Sequence, residues 1–453
     1  MSSPDRFCTG SSTAGVIPAV REGNPLRPRP RGVRNGVRLL AVGALAGGSV
    51  LSTAGPAAAV TGVSKNGNTL TATARAGVAN NITVSASGTD FVVTDSADTV
   101  SAGAGCRAVA GNTHQVRCAS AGVTAIVVNG GDLNDRLTGN VGVTSTSTTL
   151  NGGAGNDVLA AGASGQLLTL NGGDGNDTLR GGAGGDLLDG GAGADSMRGA
   201  GGHDIATYNS RAAAVTVTLD GLANDGVANE RDNVATDVED VYGGRGNDSI
   251  TGSSANNGLT GGPGNDTLRG GAGNDSLLGQ GGNDSLNGEA GNDSAEADLA
   301  FLGGADGADT FAGGPGVDRM SYALRFTVGV RVDLDNAADD GQAGERDNIR
   351  SDVENVDGGS AGDVITGSGL NNTLRGNGGN DQLSGLAAND SLSGGAGNDR
   401  VTGGAGNDSI NGDAGNDSLV GVDGVLRNDT LRGGANTDTC TADVGDVKTG
   451  CER

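Results

Sequence analysis

Apolar residues recur at every ninth position through long stretches of the chain. In one such stretch they are Ile250, Leu259, Leu268, Leu277 and Leu286, with glycines and polar residues between them. The nine-residue unit reads Gly-Gly-x-Gly-x-Asp-x-apolar-x. Its six glycine-rich residues permit a tight turn, and the three residues around the apolar position can form a short strand. The pattern therefore predicts a flattened solenoid with two units per coil, in which residues eighteen apart stack at roughly 4.8 Å.

These units fall into three blocks that are separated by two related inserts. Each insert begins at a tyrosine, Tyr208 or Tyr322, and both contain the segments ERDN and DVE. Alternating apolar residues, such as Val215 and Val217 in the first insert and Val330 and Val332 in the second, predict strands there. Similar alternation before the repeats predicts a small β leader domain.

The pattern as a whole predicts an all-β fold, a β-solenoid that is interrupted by two strand-rich inserts. The expected segments are a signal peptide region (1–59), whose start could be wrongly placed, the leader (60–142), repeat block 1 (143–207), insert 1 (208–242), repeat block 2 (243–321), insert 2 (322–357), repeat block 3 (358–441) and a disulfide-tied cap (442–453).

Composition changes this picture in one respect. The chain of 453 residues has a net charge of -25, 2 % aromatic residues and no tryptophan, values that are typical of disordered chains. The strict period of the apolar residues favours a folded chain instead. The acidity argues against nucleic acid and anionic membranes as partners, because a protein that binds them needs a basic face.

The aspartate at the sixth place of each unit creates an electrostatic cost. Two stacked carboxylates about 5 Å apart repel each other by on the order of 3 kcal/mol at an effective dielectric constant of 20. Each ordered glycine costs roughly 0.5–1 kcal/mol more than alanine. One leucine in nine residues contributes only about 1.5–3 kcal/mol. We therefore expect cations between the stacked carboxylates.

The available ligands indicate which cation binds. Carboxylates and turn carbonyls are hard oxygen donors, and the unit contains no cysteine or histidine, so the set suits several Ca²⁺ ions. Each aspartate is expected to face the aspartate one coil away across an ion, as Asp248 faces Asp266. The predicted metal ligands are Asp157, Asp177, Asp186, Asp195, Asp204, Asp248, Asp266, Asp275, Asp284, Asp293, Asp309, Asp318, Asp363, Asp381, Asp390, Asp399, Asp408 and Asp417.

Four other residues bear on the expected ion sites. Asn257 and Asn372 stand where the unit has aspartate, so we expect weaker ion sites there. Glu239 and Glu354 in the inserts could cap the insert or add an ion ligand, and we expect the capping role.

The repeat closely resembles the RTX, or haemolysin-type, calcium-binding nonapeptide. This resemblance implies a parallel β-roll that is disordered without calcium and folds at the millimolar calcium concentrations found outside cells. Many members of the family carry an uncleaved C-terminal secretion signal and lack cysteine. This chain differs from them in its N-terminal region and in its cysteines.

The N-terminal region has the pattern of an export signal. Arg31, Arg34 and Arg38 precede the apolar run of residues 39–51, and small residues follow up to Ala59. The run is too short to span a bilayer, although a retained anchor is the alternative. We expect cleavage near Ala59 and a secreted protein, extracellular or at the cell surface.

Four cysteines remain in the expected mature chain. An even number in an exported protein indicates disulfides, and three connectivities are possible. The simplest pairs Cys106 with Cys118 and Cys440 with Cys451, and free buried thiols are the alternative.

Two functions fit these features. The first is a non-enzymatic calcium-binding protein with a structural or adhesive extracellular role, which could also associate with itself or with a cell-surface partner. The second is a secreted RTX-type enzyme or toxin whose activity resides in the leader or the inserts. We favour the first, because there is no H-E-x-x-H motif and Ser360, in a G-x-S-x-G match, is simply the third residue of a repeat unit.

Overall fold

The computed structural model describes residues 60–142, 146–162, 165–297 and 307–452, which belong to one compact unit of residues 56–453. The signal peptide region and its predicted cleavage point lie outside the described residues. The described part contains 42 strands and no helix, and hence no helix that could span a membrane. The strands wind into a parallel β-solenoid of about 16 turns, which confirms the predicted β-roll.

The leader contains nine strands. They are β1 (Thr61–Asn66), β2 (Thr69–Thr73), β3 (Asn81–Ser87), β4 (Asp90–Asp95), β5 (Val100–Ala102), β6 (Cys106–Val109), β7 (Asn112–Ala119), β8 (Ala125–Asp132) and β9 (Arg136–Asn140).

Repeat block 1 and insert 1 contribute eleven strands. They are β10 (Ser147–Ala154), β11 (Val158–Ala161), β12 (Leu168–Asp174), β13 (Thr178–Arg180), β14 (Leu187–Ala192), β15 (Ser196–Arg198), β16 (Ile205–Thr207), β17 (Val215–Thr218), β18 (Gly226–Val227), β19 (Asn233–Val234) and β20 (Asp240–Tyr242).

Repeat block 2 and insert 2 contribute twelve. They are β21 (Ser249–Thr251), β22 (Gly258–Thr260), β23 (Thr267–Ala272), β24 (Ser276–Leu278), β25 (Ser285–Ala290), β26 (Ser294–Glu296), β27 (Thr310–Ala312), β28 (Arg319–Ser321), β29 (Val330–Asp333), β30 (Gly341–Gln342), β31 (Asn348–Ile349) and β32 (Asn355–Asp357).

The last ten strands belong to repeat block 3 and the C-terminal cap. They are β33 (Val364–Thr366), β34 (Thr373–Gly378), β35 (Gln382–Ala387), β36 (Ser391–Ala396), β37 (Arg400–Ala405), β38 (Ser409–Ala414), β39 (Ser418–Gly421), β40 (Thr430–Ala435), β41 (Thr439–Ala442) and β42 (Val447–Thr449).

Stacking follows the predicted period. Strand β21 pairs in parallel with β23 so that Ile250 lies beside Leu268, and β22 pairs with β24 so that Leu259 lies beside Leu277. All four side chains are at most 1 % exposed. Because successive strands alternate between two sheets, one apolar residue per unit fills the thin interior from either side.

The two faces of the roll differ in continuity. One face is a single sheet of 19 strands, here called the continuous sheet, and the other is divided into sheets of nine, seven and seven strands. Each division falls at an insert: the nine-stranded sheet ends at β19 and the next begins with β18 and β17, while the third begins with β30 and β29. The inserts therefore interrupt only one face.

A buried aspartate joins the two sheets at each division. Asp225 accepts backbone N–H groups from Thr218 in β17 and Val234 in β19, at 2.7 and 2.8 Å. In insert 2, Asp340 accepts the corresponding bonds from Asp333 and Ile349 at 2.6 and 2.8 Å. Each carboxylate thus satisfies strand-edge donors that have lost a neighbouring strand.

The leader extends directly into the roll. Strand β2 pairs in parallel with β8, and β3 with β9, while β3, β4, β7 and β6 extend one sheet outward in antiparallel order. The disulfides are those expected from sequence spacing: Cys106 is bonded to Cys118 across β6 and β7, and Cys440 to Cys451 after the last coil.

Candidate metal sites along two rows of aspartates

The predicted aspartates form two rows along the edges of the roll. The row that precedes strands of the continuous sheet contains Asp186, Asp204, Asp275, Asp293, Asp318, Asp390 and Asp408. The row that precedes strands of the divided face contains Asp157, Asp177, Asp195, Asp248, Asp266, Asp284, Asp309, Asp363, Asp381, Asp399 and Asp417.

Neighbours within a row are linked by the same hydrogen bond. The backbone N–H of Asp248 donates to Oδ1 of Asp266 at 2.7 Å, and Asp266 donates in turn to Asp284 at 2.7 Å. In the other row Asp275 donates to Asp293 at 2.8 Å. The pairs expected in block 3 are joined likewise, namely Asp363 with Asp381, Asp381 with Asp399, Asp390 with Asp408, and Asp399 with Asp417.

The second carboxylate oxygen has no such bond at most of these positions. It is buried and has no hydrogen-bond partner among the residues that the structure describes, which is uncommon for a charged group in a folded protein. The Oδ2 atoms concerned are those of Asp157, Asp177, Asp195, Asp204, Asp266, Asp275, Asp293, Asp318, Asp381, Asp390, Asp399, Asp408 and Asp417.

Each of these oxygens points at the first glycine of its own unit. An ideal Cβ atom built on Gly270 would lie 2.3 Å from Oδ2 of Asp275 and 2.6 Å from the carbonyl oxygen of Gly288, one coil away. The same atom on Gly412 would lie 2.4 Å from Oδ2 of Asp417. Glycine therefore leaves the space in which a carboxylate oxygen and a carbonyl oxygen converge.

Burial without a counter-charge makes the ionised form of these groups unfavourable. Burial, with a smaller contribution from neighbouring carboxylates, raises the pKa of Asp266, Asp318 and Asp381 from 3.8 to about 7. The pKa of Asp177 and Asp275 rises to about 6, again chiefly because of burial. The backbone N–H bond lowers the pKa in every case but does not offset burial. A proton or a cation at these carboxylates would therefore stabilise the rows.

The residues present fit calcium. The converging atoms are carboxylate and carbonyl oxygens, the hard donors that Ca²⁺ takes in sets of six to eight. The aspartates with an unpartnered Oδ2 and the carbonyls of the first glycines are the groups that would hold it. When bound, the ion would supply the positive charge that offsets the burial of the carboxylates.

Three aspartates, each the first of a row or the first after an insert, receive hydrogen bonds on both carboxylate oxygens. Oδ2 of Asp186, Asp248 and Asp363 accepts the backbone N–H of the residue four positions earlier, at 2.6, 2.5 and 2.7 Å. These aspartates therefore bring fewer free lone pairs to an ion than those inside a row.

In the leader and in repeat block 3, three further aspartates occupy the rows and were not among the predicted ligands. Asp135 of the leader donates to Asp157 at 2.7 Å, and Asp429 and Asp438 accept from Asp408 and Asp417 at 2.8 and 2.9 Å. The signal was present but weak. Asp135 lies in the incomplete unit GGDLNDRLTG, and three extra residues precede Asp429. Each of the three carries a buried Oδ2 without a partner among the described residues.

The irregular spacing in block 2 leaves the row intact. Asp284 donates to Oδ1 of Asp309 and Asp293 to Oδ1 of Asp318, both at 2.7 Å, across 25 residues instead of 18. The seven extra residues therefore add length between two coils and do not shift the register of the strands that follow.

The amide groups of Asn257 and Asn372 donate hydrogen bonds that an aspartate could not make. Nδ2 of Asn257 donates to the carbonyl oxygen of Glu239 at 2.8 Å, and Nδ2 of Asn372 to that of Glu354 at 3.2 Å. A carboxylate has no hydrogen to donate. Both asparagines follow an insert, so the amide marks the place where the continuous-sheet row restarts.

Comparison with protein families agrees with this geometry. Seven segments match the model of the RTX calcium-binding nonapeptide repeat, namely residues 144–164, 171–206, 236–268, 260–295, 357–392, 384–419 and 422–446. A search of curated proteins gave no match.

Proposed function

We propose that this chain, which belongs to the RTX calcium-binding nonapeptide-repeat proteins, is a secreted protein whose fold is completed by several calcium ions and whose role is structural or adhesive. One observation carries the proposal: the same buried oxygen lacks a hydrogen bond in coil after coil of the roll. A cation shared along each row would offset a cost that the protein's own donors leave in place.

Two observations support an extracellular place of action. The two disulfides are typical of proteins that fold in oxidising compartments. Residues 31–59 have the composition of an export signal. Because calcium reaches millimolar concentrations only outside the cytosol, a roll that needs calcium would fold after export. We propose no catalytic role, since the chain contains no H-E-x-x-H motif and only two histidines.

Calcium titration of the full chain tests the proposal. Circular dichroism and size-exclusion chromatography are measured in chelator, in millimolar calcium and in millimolar magnesium. We expect β-signal and a compact radius with calcium and an expanded, weakly structured chain in chelator, because metal binding and folding are coupled. Magnesium is expected to substitute poorly, since it demands a tighter octahedral site.

A matched pair of variants separates binding from general destabilisation. Asp275→Asn removes one charge from a row, and Asp220→Asn removes one from an exposed position in insert 1. We expect only the first to raise the calcium concentration needed for folding. A chain that is equally compact and β-rich in chelator and in calcium would refute the proposed function.

A further inference from the structure

Three glutamates continue the rows beyond the nonapeptide units. The backbone N–H of Asp204 donates to Oε2 of Glu239 at 2.8 Å, that of Asp318 to Glu354 at 2.7 Å, and that of Asp438 to Glu452 at 2.7 Å. Inside a block the corresponding bond joins two aspartates, at 2.7–2.9 Å. Glu239, Glu354 and Glu452, here called the row-end glutamates, therefore occupy the position of the next aspartate at the end of a block.

The aspartate before each row-end glutamate is fully buried and incompletely satisfied. Asp204, Asp318 and Asp438 are each 0 % exposed, and Oδ2 of each has no hydrogen-bond partner among the described residues. The same oxygen inside a block points at a first glycine beside a carbonyl of the next coil. At a row end, an equivalent carbonyl has to come from the insert or from the C-terminal cap.

Such a carbonyl is present at two of the three row ends. An ideal Cβ on Gly199 would lie 2.3 Å from Oδ2 of Asp204 and 2.4 Å from the carbonyl oxygen of Asp237 in insert 1. On Gly433 it would lie 2.5 Å from Oδ2 of Asp438 and 2.0 Å from the carbonyl oxygen of Gly450. The carboxylate and carbonyl oxygens thus converge at these row ends as they do inside the blocks.

The other row ends at the inserts are closed in a different way. In insert 1 the divided-face row ends at Asp232, which accepts the backbone N–H of Asp195 at 2.9 Å. Its Oδ2 accepts the hydroxyl of buried Tyr208 at 3.1 Å. In insert 2 the hydroxyl of Tyr322 donates to Oδ2 of Asp347 at 3.2 Å. A tyrosine hydroxyl therefore occupies one oxygen of each of these carboxylates, whereas no tyrosine among the described residues donates to a row-end glutamate.

We propose that each row-end glutamate is a calcium ligand and completes an additional site with the last aspartate of its block. The sites pair Asp204 with Glu239, Asp318 with Glu354, and Asp438 with Glu452. This inference rests on the proposed calcium binding of the rows. It gives the inserts and the cap a chemical role, since each would supply the carboxylate that a repeat unit supplies elsewhere, and insert 1 and the cap would also supply a carbonyl.

Glutamine variants of the full chain test the inference. Glu239→Gln, Glu354→Gln and Glu452→Gln keep an oxygen that accepts the backbone N–H but remove the charge that holds a cation. Bound calcium is counted by equilibrium dialysis with atomic absorption spectrometry. We expect each substitution to remove one ion and the triple variant to remove three. Glu296→Gln, an exposed glutamate in β26, is the matched control and is expected to keep every ion.

The outcomes separate this inference from the proposed function. If the unsubstituted chain binds no calcium, the proposed function fails. If it binds calcium and the triple variant binds the same number with the same affinity, the inference is overturned and the proposed function stands. If the variants do not fold, crystals of the unsubstituted chain grown with calcium decide. Anomalous density in contact with Asp204 and Glu239 is expected, and its absence from all three row ends overturns the inference.

Discussion

The leader and the repeat blocks both bury aspartates, but they satisfy them differently. Asp95 of the leader is 0 % exposed and receives hydrogen bonds on both oxygens, from the Thr61 hydroxyl at 2.7 Å and from the backbone N–H groups of Asn81, Ala97 and Asp98. Asp266 of block 2 is 1 % exposed and receives a single bond, on Oδ1. Donors of the leader thus satisfy both oxygens of Asp95, whereas most aspartates of the blocks keep one oxygen for an external charge.

The largest effect expected from this difference is regional unfolding on calcium removal. Hydrogen exchange of the full chain, followed by mass spectrometry of its peptides, is measured in calcium and in chelator. We expect peptides covering β21–β28 and β33–β40 to lose protection almost completely in chelator. Peptides covering β4 and β7 should retain much of theirs, because their buried groups need no ion.

Two hydrogen-exchange results would contradict this difference between the leader and the blocks. Equal loss of protection in leader and blocks would mean that the leader depends on the roll for its own order. Retention of protection throughout would mean that the unpartnered oxygens carry no cost large enough to require a metal.

Alanine variants of two neighbouring glycines test how closely adjacent coils approach each other. Gly282 has φ +143°, and a Cβ there would lie 1.6 Å from the carbonyl oxygen of Gly264, whereas a Cβ on Gly281 would have nothing within 4 Å. We expect Gly282→Ala to destabilise the calcium-loaded roll by about 2–5 kcal/mol, from backbone strain and steric overlap. Gly281→Ala is expected to change it by less than about 0.5 kcal/mol. Thermal unfolding in saturating calcium compares the two, and equal effects would contradict the close approach of the coils.

Acid is expected to replace calcium in part. The folded-state pKa of Asp266, Asp318 and Asp381 is raised from 3.8 to about 7 by burial, so the folded state binds protons more tightly than the unfolded chain. The contribution of these groups to stability is therefore fully present below about pH 4 and is lost as the pH rises towards 7.

Circular dichroism of the metal-free chain tests this sign. We expect more β-signal at pH 5 than at pH 7.5 without calcium. With limiting calcium we expect the reverse, because protons displace the ion from its ligands. A metal-free chain that loses structure on acidification would show that the rows are not the groups that limit its folding.

The period of nine was enough to predict the β-roll, the stacking of units eighteen apart and the two aspartate rows, because each unit combines its own turn, strand and carboxylate. Departures from the period were harder to interpret. Asp135 and Asp429 belong to the rows although their units are incomplete or stretched. The division of one face could not be predicted, since it depends on Asp225 and Asp340 accepting bonds from two sheets at once.

The role of the row-end glutamates could not be predicted from the repeat motif. A sequence pattern fixes which residues recur, but Glu239 and Glu354 occur once per insert, and their role depends on which backbone N–H they meet after the chain has folded. The same holds for Asn257. Its sequence position predicts a weaker ion ligand, but its Nδ2 group donates to the carbonyl oxygen of Glu239 in the folded chain.

Asn257 also provides the smallest and most discriminating prediction. Asn257→Asp restores the aspartate of the repeat unit, yet it would place a carboxylate oxygen against the carbonyl of Glu239, which now accepts a bond from Nδ2 at 2.8 Å. We expect a loss of about 1–3 kcal/mol from the unfavourable contact. Asn265→Asp is the control, because the exposed Asn265 side chain only accepts a bond, from Asn283 at 2.8 Å, and an aspartate can do the same. Unfolding at saturating calcium compares both variants with the original chain. Higher stability of Asn257→Asp together with an added calcium ion would mean that the row runs through the insert without a break, and that the asparagine is only a weaker ligand.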